Sequence, residues 1–268
     1  MYKKSAVITG AAGLLGIQHA SALLESDYNI ILLDLNKSAL KKINLKLEQI
    51  FKHKTILSYA CDITQEKKVR DVLKKIKQKK LKIEVLVNNA DKNPKMKKYS
   101  KSFTGRIEDY AISDLKKQLD VGIIGTFICS KIFGTEMKKN KVGSIINISS
   151  DLGINAPDQR VYDKTEKIEK VRNFKPIGYS ISKHAIHGIT KYLSTYWAKD
   201  GIRCNTLVLG AVLNNQPKFL IDNVKKRIPL NRWAKVDEYK KAVQFLSGYG
   251  SRYMTGQALI IDGGRTIW

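Results

Sequence analysis

Tyr179 and Lys183, four residues apart, could move a proton between the protein and a hydroxyl group. On a helix that spacing puts both side chains on one face. A free phenol titrates near 10 and is a poor base at neutral pH. An ammonium about 5 Å away, at an effective dielectric near 20, favours the phenolate by roughly 3 kcal/mol. That is on the order of two pKa units, so Tyr179 is expected to be activated by Lys183. Ser150 closes the apolar run GSIINISS and offers a hydroxyl that can donate to, or accept from, a substrate oxygen. Of the 12 tyrosines, only Tyr179 has a lysine four places on, so this chemistry has a single location in the chain.

A second group of residues suits a nucleotide. The turn TGAAGLLG, residues 9–16, follows the first apolar run. Gly10, Gly13 and Gly16 let the backbone turn tightly and approach a pyrophosphate, with Leu14 and Leu15 in the same turn. The helix beyond would present free N–H groups and its positive end. Asp34 ends the second apolar run in LLDLN. A carboxylate there can accept hydrogen bonds from an adenosine ribose and would repel a 2′-phosphate. No Arg stands near the turn to receive such a phosphate, so NAD is expected in preference to NADP. A strand-end Asp that caps the next helix is the plainer reading of the same residue.

These residues need elements to position them. Apolar runs of strand length lie near 5–9, 28–33, 55–60, 83–88, 142–149, 203–209 and 257–262. Helical spacing covers 14–26, 37–52, 65–80, 111–139, 180–199 and 236–248. Such alternation implies a parallel sheet with helices on both faces. The expected fold is α/β: a single-domain, Rossmann-type doubly wound fold with a seven-stranded parallel sheet. No linker or repeat divides residues 1–268. Two connections, 91–110 and 151–178, are too long to be simple turns. Both follow strand C-terminal ends, the edge at which open parallel sheets bind ligands.

In this order the motifs resemble the short-chain dehydrogenase/reductase family over nearly the whole chain. CDIT at 61–64 looks like the adenine-contacting motif, which implies that role for Asp62 and Ile63. NNAD at 88–91 is similar to the family's NNAG, placing Asn89 and Ala90 along the ribose. INISS, ending at Ser150, and YSISK at 179–183 match the strand and helix of the catalytic Ser, Tyr and Lys. IRCNTLVLG at 202–210 and TGQALIIDGG at 255–264 resemble the last two strands. Lys183 would also hold the nicotinamide ribose, and Val212 completes the implied cofactor contacts. NNADKNPK, APDQRVY, LNNQP and DGGRTIW look like the flagellin-modification protein A branch, associated with sugar oxidoreduction in surface-glycan pathways. The implied function is alcohol–carbonyl interconversion by hydride transfer on a sugar derivative. The resemblance also implies a homodimer or homotetramer, joined through helices 111–139 and 180–199 and through the C-terminal strand.

Departures from the family pattern are as specific as the matches. Gly13 and Leu14 stand where the common pattern has its Gly one place later. Asp91 replaces the Gly of NNAG, and Leu209 the usual Pro. In DVGIIGTF the place of a fourth catalytic residue, an Asn, is taken by Gly122. The water relay held by that Asn is therefore in question, whereas Ser150, Tyr179 and Lys183 are intact. The Ser-to-Tyr segment is about twice the usual length. It reads as a substrate-loop insertion and carries Asp158, Arg160, Tyr162, Lys164, Lys167, Arg172 and Lys175. A basic loop over the site suits a hydroxylated or phosphorylated substrate; a solvated surface loop is the plain alternative. Asn93, Asp158, Arg160 and Tyr162 are the substrate candidates, with Arg160 able to grip a phosphate or carboxylate in two-pronged fashion.

Composition narrows the classes. A 268-residue chain with 43% hydrophobic and 27% charged residues fits a globular protein. The net charge of +25 raises nucleic acid as a partner. The lysines are spread over helical segments such as EKKVRDVLKKIKQKK, as on solvated helix faces, so no nucleic-acid partner is expected. No apolar run reaches membrane-spanning length, so no membrane partner is expected. A strand-like run begins within five residues of the start, leaving no room for a signal peptide, and the expected location is the cytoplasm. Cys61, Cys129 and Cys204 sit among apolar residues as reduced thiols. His184 and His187 lack metal-ligand spacing, and no metal is expected. A 3-oxoacyl or other carbonyl reductase and a non-catalytic nicotinamide-binding regulator remain alternatives. Asp34 argues against the first and the intact triad against the second.

Overall fold

The computed structural model describes residues 2–93, 105–162 and 173–268. Seven strands form one parallel sheet: β1 (Lys3–Thr9), β2 (Asn29–Asp34), β3 (Ile56–Ala60), β4 (Leu81–Asn88), β5 (Gly143–Ser150), β6 (Ile202–Leu209) and β7 (Ala258–Ile261). Their spatial order is β3-β2-β1-β4-β5-β6-β7. The order reverses between β1 and β4, and the chain leaves both strands at the same edge. A crevice must open there, as in every doubly wound sheet.

Three helices, α1 (Gly16–Glu25), α2 (Lys37–Ile50) and α8 (Lys240–Ser247), cover one face. The other face carries α3 (Glu66–Gln78), α5 (Thr126–Lys139) and α6 (Ile177–Tyr196). Strand residues alternate between the two cores: Ala6 and Ile8 join the first, Val7 the second. That period of two is what a strand buried on both faces requires. In α3 the apolar positions Val69, Val72 and Ile76 recur at helical spacing and are buried. The Asn36 side chain caps α2 by accepting from the Ala39 N–H at 3.0 Å. All three cysteines are buried and free.

The region 111–139 is helical throughout but not uniform. It comprises α4 (Ile112–Leu119), a π-helical turn over Asp120–Gly125, and α5. Periodicity alone does not separate these, because one widened turn slips the register by a single residue. An eighth helix, α7 (Lys218–Lys225), was not among the sequence expectations. Pro217 starts it, and Leu220 and Val224 bury its inner side against Val161 and Tyr162. Within 151–178 the described residues form short 3₁₀ turns at Asp151–Gly153 and Gln159–Tyr162. Lys164, Lys167 and Arg172 lie outside the described residues. Among the described residues no helix is long and apolar enough to cross a membrane.

Candidate active site

The sheet edge gathers the expected residues. Gly10 leaves β1 with φ +60°, and a Cβ there would stand 2.7 Å from Ala90 Cα. Gly16 is as tightly placed, since its Cβ would meet Gly10 O at 2.5 Å. Side chains at either position would close the turn that approaches a phosphate. Leu14 is exposed on this turn, and Leu15 precedes the first residue of α1. Asp34 Oδ2 accepts from the Ala12 N–H at 3.0 Å and Oδ1 from the Asn36 N–H at 2.9 Å. Its carboxylate is thus fixed at the mouth of the glycine turn. Asn89 ties β1 to β4 by donating to Thr9 O at 3.1 Å and Gly10 O at 3.0 Å.

Asp62 accepts from the Thr64 hydroxyl and N–H and from the Gln65 amide. Burial opposes its ionisation, but these donors outweigh it and hold the carboxyl below the usual range. Ile63 packs over Gly125, where a Cβ would be 2.6 Å from its Cδ1. Val212 bridges to Ala234 beyond β6. A glycine cradle, a helix N-terminus and an anchored strand-end carboxylate are the parts that a dinucleotide cofactor requires, and the residues present fit one.

Across the crevice, Ser150 ends β5. Its hydroxyl donates to Asp151 Oδ1 at 2.6 Å and accepts from the Leu152 N–H at 3.2 Å. It lies close enough to Tyr179 to favour the phenolate, one of the influences on that phenol. Tyr179 sits in the first turn of α6, with Lys183 one turn further on. Lys183 Nζ lies 5.6 Å from the centroid of the Tyr179 ring. Lys183 is 6% exposed as a residue, and its ammonium donates to Ile148 O at 3.1 Å and pairs with Asp91 Oδ2 at 2.9 Å. Beneath the site, Asn88 donates to Asn147 at 2.8 Å and to Ser130 at 3.0 Å, and Asn147 donates to Thr190 at 2.9 Å. This buried network locks β4, β5, α5 and α6 together.

One expectation fails on electrostatics. The Tyr179 phenol is shifted upward, not toward the phenolate. Burial is the largest cause; the Asp91 and Asp151 carboxylates add to it, while the Ser150 hydroxyl and Arg265 oppose it. Burial and the two carboxylates outweigh the cations near the phenol, and one of those, Lys183, is itself paired with Asp91.

The substrate candidates separate. Tyr162 is buried, and burial raises its phenol, with the Asp151 and Asp158 carboxylates adding to the shift. Asn93 Oδ1 accepts from Lys175 Nζ at 3.0 Å, and that ammonium lies 3.8 Å over the Tyr179 ring. Burial lowers Lys175 to about 8. Asp158 is held between Arg160 and Arg227 and is strongly acidic for that reason, with the Arg160 hydrogen bond the larger cause. Arg160 is 78% exposed at its side chain and places Nε and Nη2 on Asp158 at 2.8 and 2.9 Å. Its fork is already filled, so the cation presented to Tyr179 is Lys175. Sequence reasoning also missed the Asp151–Arg265 pair at 2.6 Å, which pins the C-terminal segment against the residue after Ser150. Among the described residues no His/Cys/Asp/Glu cluster could hold a metal ion.

Comparison with known proteins agrees with this geometry. A family model described as enoyl-(acyl carrier protein) reductase matches residues 10–266. The chain belongs to the short-chain dehydrogenase/reductase family. It is 28% identical to post-translational flagellin modification protein A of Campylobacter coli, over 96% of each chain. An NAD+-bound xylitol dehydrogenase superposes with a TM-score of 0.84 at 26% identity, covering 98% of this chain and 99% of that one. ElxO with NADP bound superposes at 0.80 with 26% identity, covering 99% and 100%. Seven parallel strands with helices on both faces are the family fold. The short-chain dehydrogenase/reductase assignment makes the protein an oxidoreductase of alcohol and carbonyl substrates with a nicotinamide cofactor.

Proposed function

We propose that the protein is an NAD(H)-dependent enzyme that interconverts an alcohol and a carbonyl on a sugar or sugar derivative in surface-glycan biosynthesis. The observation that carries the reading is the meeting of Ser150, Tyr179 and Lys183 at the crevice beside the glycine turn. A bound nicotinamide supplies hydride transfer. The chain's own part is the proton. Ser150 orients the substrate oxygen; Tyr179, whose phenol burial favours, gives its proton to that oxygen in reduction, and in oxidation the phenolate form takes the alcohol proton. Asp34 supports NAD, because its anchored carboxylate stands where a 2′-phosphate would be repelled. The sugar reading draws support from the polar, cationic wall formed by Asn93, Tyr162 and Lys175. The similarity to a flagellin modification protein and to a xylitol dehydrogenase points the same way. Lys175 is the cation that would take an acidic group of the substrate.

The working unit in this reading is a homodimer or homotetramer in the cytoplasm. Ile112, Ile124, Phe127, Ile181, Tyr192 and Tyr196 are exposed on α4, the π turn, α5 and α6. Exposed apolar side chains in this number on the helices expected at the interface support a protein–protein contact there.

Tyr179→Phe should lower kcat by about 10²–10⁴ while NAD still binds, as for other lost acid–base groups; retention of more than about a tenth of turnover removes Tyr179 from the role. By isothermal titration NAD should bind at least about tenfold tighter than NADP, a gap of about 1.4 kcal/mol. Equal affinities would count against Asp34. Lys175→Met should raise KM for a sugar acid or sugar phosphate by about tenfold or more, and leave a neutral polyol unaffected. The cationic form of Lys175 is present below its value of about 8, so KM for the acidic substrate should climb as pH rises through 8. A flat profile would show that Lys175 does not grip the substrate. Light scattering should report an oligomer at micromolar concentration and a smaller species for Phe127→Asp; a monomeric wild type would contradict the assembly.

A further inference from the structure

Two departures from the family pattern meet at one point in space. Gly122 stands in the π turn where an Asn is usual, and Asp91 stands beyond β4 where a Gly is usual. We propose that Asp91 is a positioning residue for Lys183, holding its ammonium from the strand end by a direct ion pair.

Three observations carry this. A Cβ at position 122 would lie 2.0 Å from Ser182 Oγ and 3.1 Å from Asp91 Oδ1, so a side chain there would displace the Ser182 hydroxyl and crowd the Asp91 carboxylate. The Ser182 side chain is fully buried and its hydroxyl has no hydrogen-bond partner, so the helix supplies this pocket with no group directed at the lysine. The Asp91 carboxylate fills the same place from the opposite side. Its Oδ1 is fixed by the Lys92 N–H at 2.8 Å and its Oδ2 meets Lys183 Nζ at 2.9 Å, with side-chain exposures of 11% and 8%. Lys183 is then held at two points, by Asp91 and by Ile148 O. A buried ammonium needs such partners, because desolvating an unpaired charge costs several kcal/mol.

The carboxylate is also felt at the reacting hydroxyl. The charged and titratable groups facing Tyr179 are Lys183 and Lys175 on or just before α6, Asp91 beyond β4, Asp151 beyond β5, Tyr162 and Arg265. Among the charges, Asp91 acts most strongly against the phenolate. Asp91 therefore neutralises Lys183 at the place where the family resemblance puts the nicotinamide ribose. An oxidised nicotinamide is a cation and its reduced form is not, so the two forms should sense that neutralisation differently.

This inference rests on the Tyr179–Lys183 reading, and its test separates the two. Dissociation constants for NAD+ and NADH are measured on the whole protein, by calorimetry and by NADH fluorescence, for wild type, Asp91→Asn and Asp91→Gly. With Lys183 left uncompensated, the ratio Kd(NAD+)/Kd(NADH) should rise about tenfold in both variants. A residue that only braces the fold would change both constants together. In parallel, thermal unfolding follows the cycle of Asp91→Asn, Lys183→Met and the double variant. Each single change strands a buried charge, so the double variant should unfold at a higher temperature than Lys183→Met alone. A ratio within about twofold of wild type, or additive unfolding shifts, overturns the proposal. Should Tyr179→Phe abolish turnover while the ratio stays fixed, only this inference falls. Should wild type bind neither cofactor form, both readings fall.

Discussion

A lysine that is 6% exposed has to be matched by its surroundings, and much of the site follows from that need. Lys183 reaches the C-terminal edge of the sheet from α6. The partners it finds there come from other elements: Ile148 O on β5 and Asp91 beyond β4. Neither partner can be placed unless β4 and β5 are held in register with each other and with α6. The Asn88–Asn147–Thr190 bonds do this in the core below. A buried polar network tolerates few alternative arrangements, since any slip leaves a donor or acceptor unpaired. The same bonds that hold the lysine therefore fix the distance between Ser150 and Tyr179.

The nucleotide half is organised by close approach more than by charge. Gly10 is pressed against Ala90 and Gly16 against Gly10. The glycine turn thus lies against the end of β4, one residue from Asp91. The contacts to the glycine turn and to the lysine are consecutive in the chain: Asn89 and Ala90 make the first, Asp91 the second. A substitution at Asp91 is close enough to disturb both halves.

Residues whose place in the fold is set by local sequence were legible. Strand ends, the glycine turn and the Tyr179–Lys183 spacing follow from periods of two and 3.6 and from turn chemistry, so Ser150, Tyr179, Lys183, Asp34 and the sheet could be read directly. What was missed depends on partners remote in the chain. Arg265 and Asp151 are 114 residues apart, and nothing near either indicates the other. Arg160 reads as a free cation in sequence, yet Asp158, two residues back, occupies it. That short spacing was a signal that could have been used. Pro217 followed by Leu220 and Val224 also carried the signal for α7, but the helix is too short for its period to stand out. The upward shift of Tyr179 was out of reach, because it depends on burial and on Asp91 arriving from β4.

The charges around the reacting hydroxyl can be taken in pairs. Lys183 is matched by Asp91 and Arg265 by Asp151, each across a contact shorter than 3 Å. Among the described residues Lys175 has no carboxylate partner, only the Asn93 amide. Among the described residues the immediate site is thus one positive charge out of balance. That charge is at the substrate side, over the Tyr179 ring, and not at the lysine that the family uses on the cofactor side. An anion entering the crevice would complete the third pair and relieve the desolvation that depresses Lys175. A neutral substrate would leave it unmatched. In the proposed reading, the balance of charge beside Tyr179, more than the protein's overall basic field, is the reason an acidic sugar is the substrate to test.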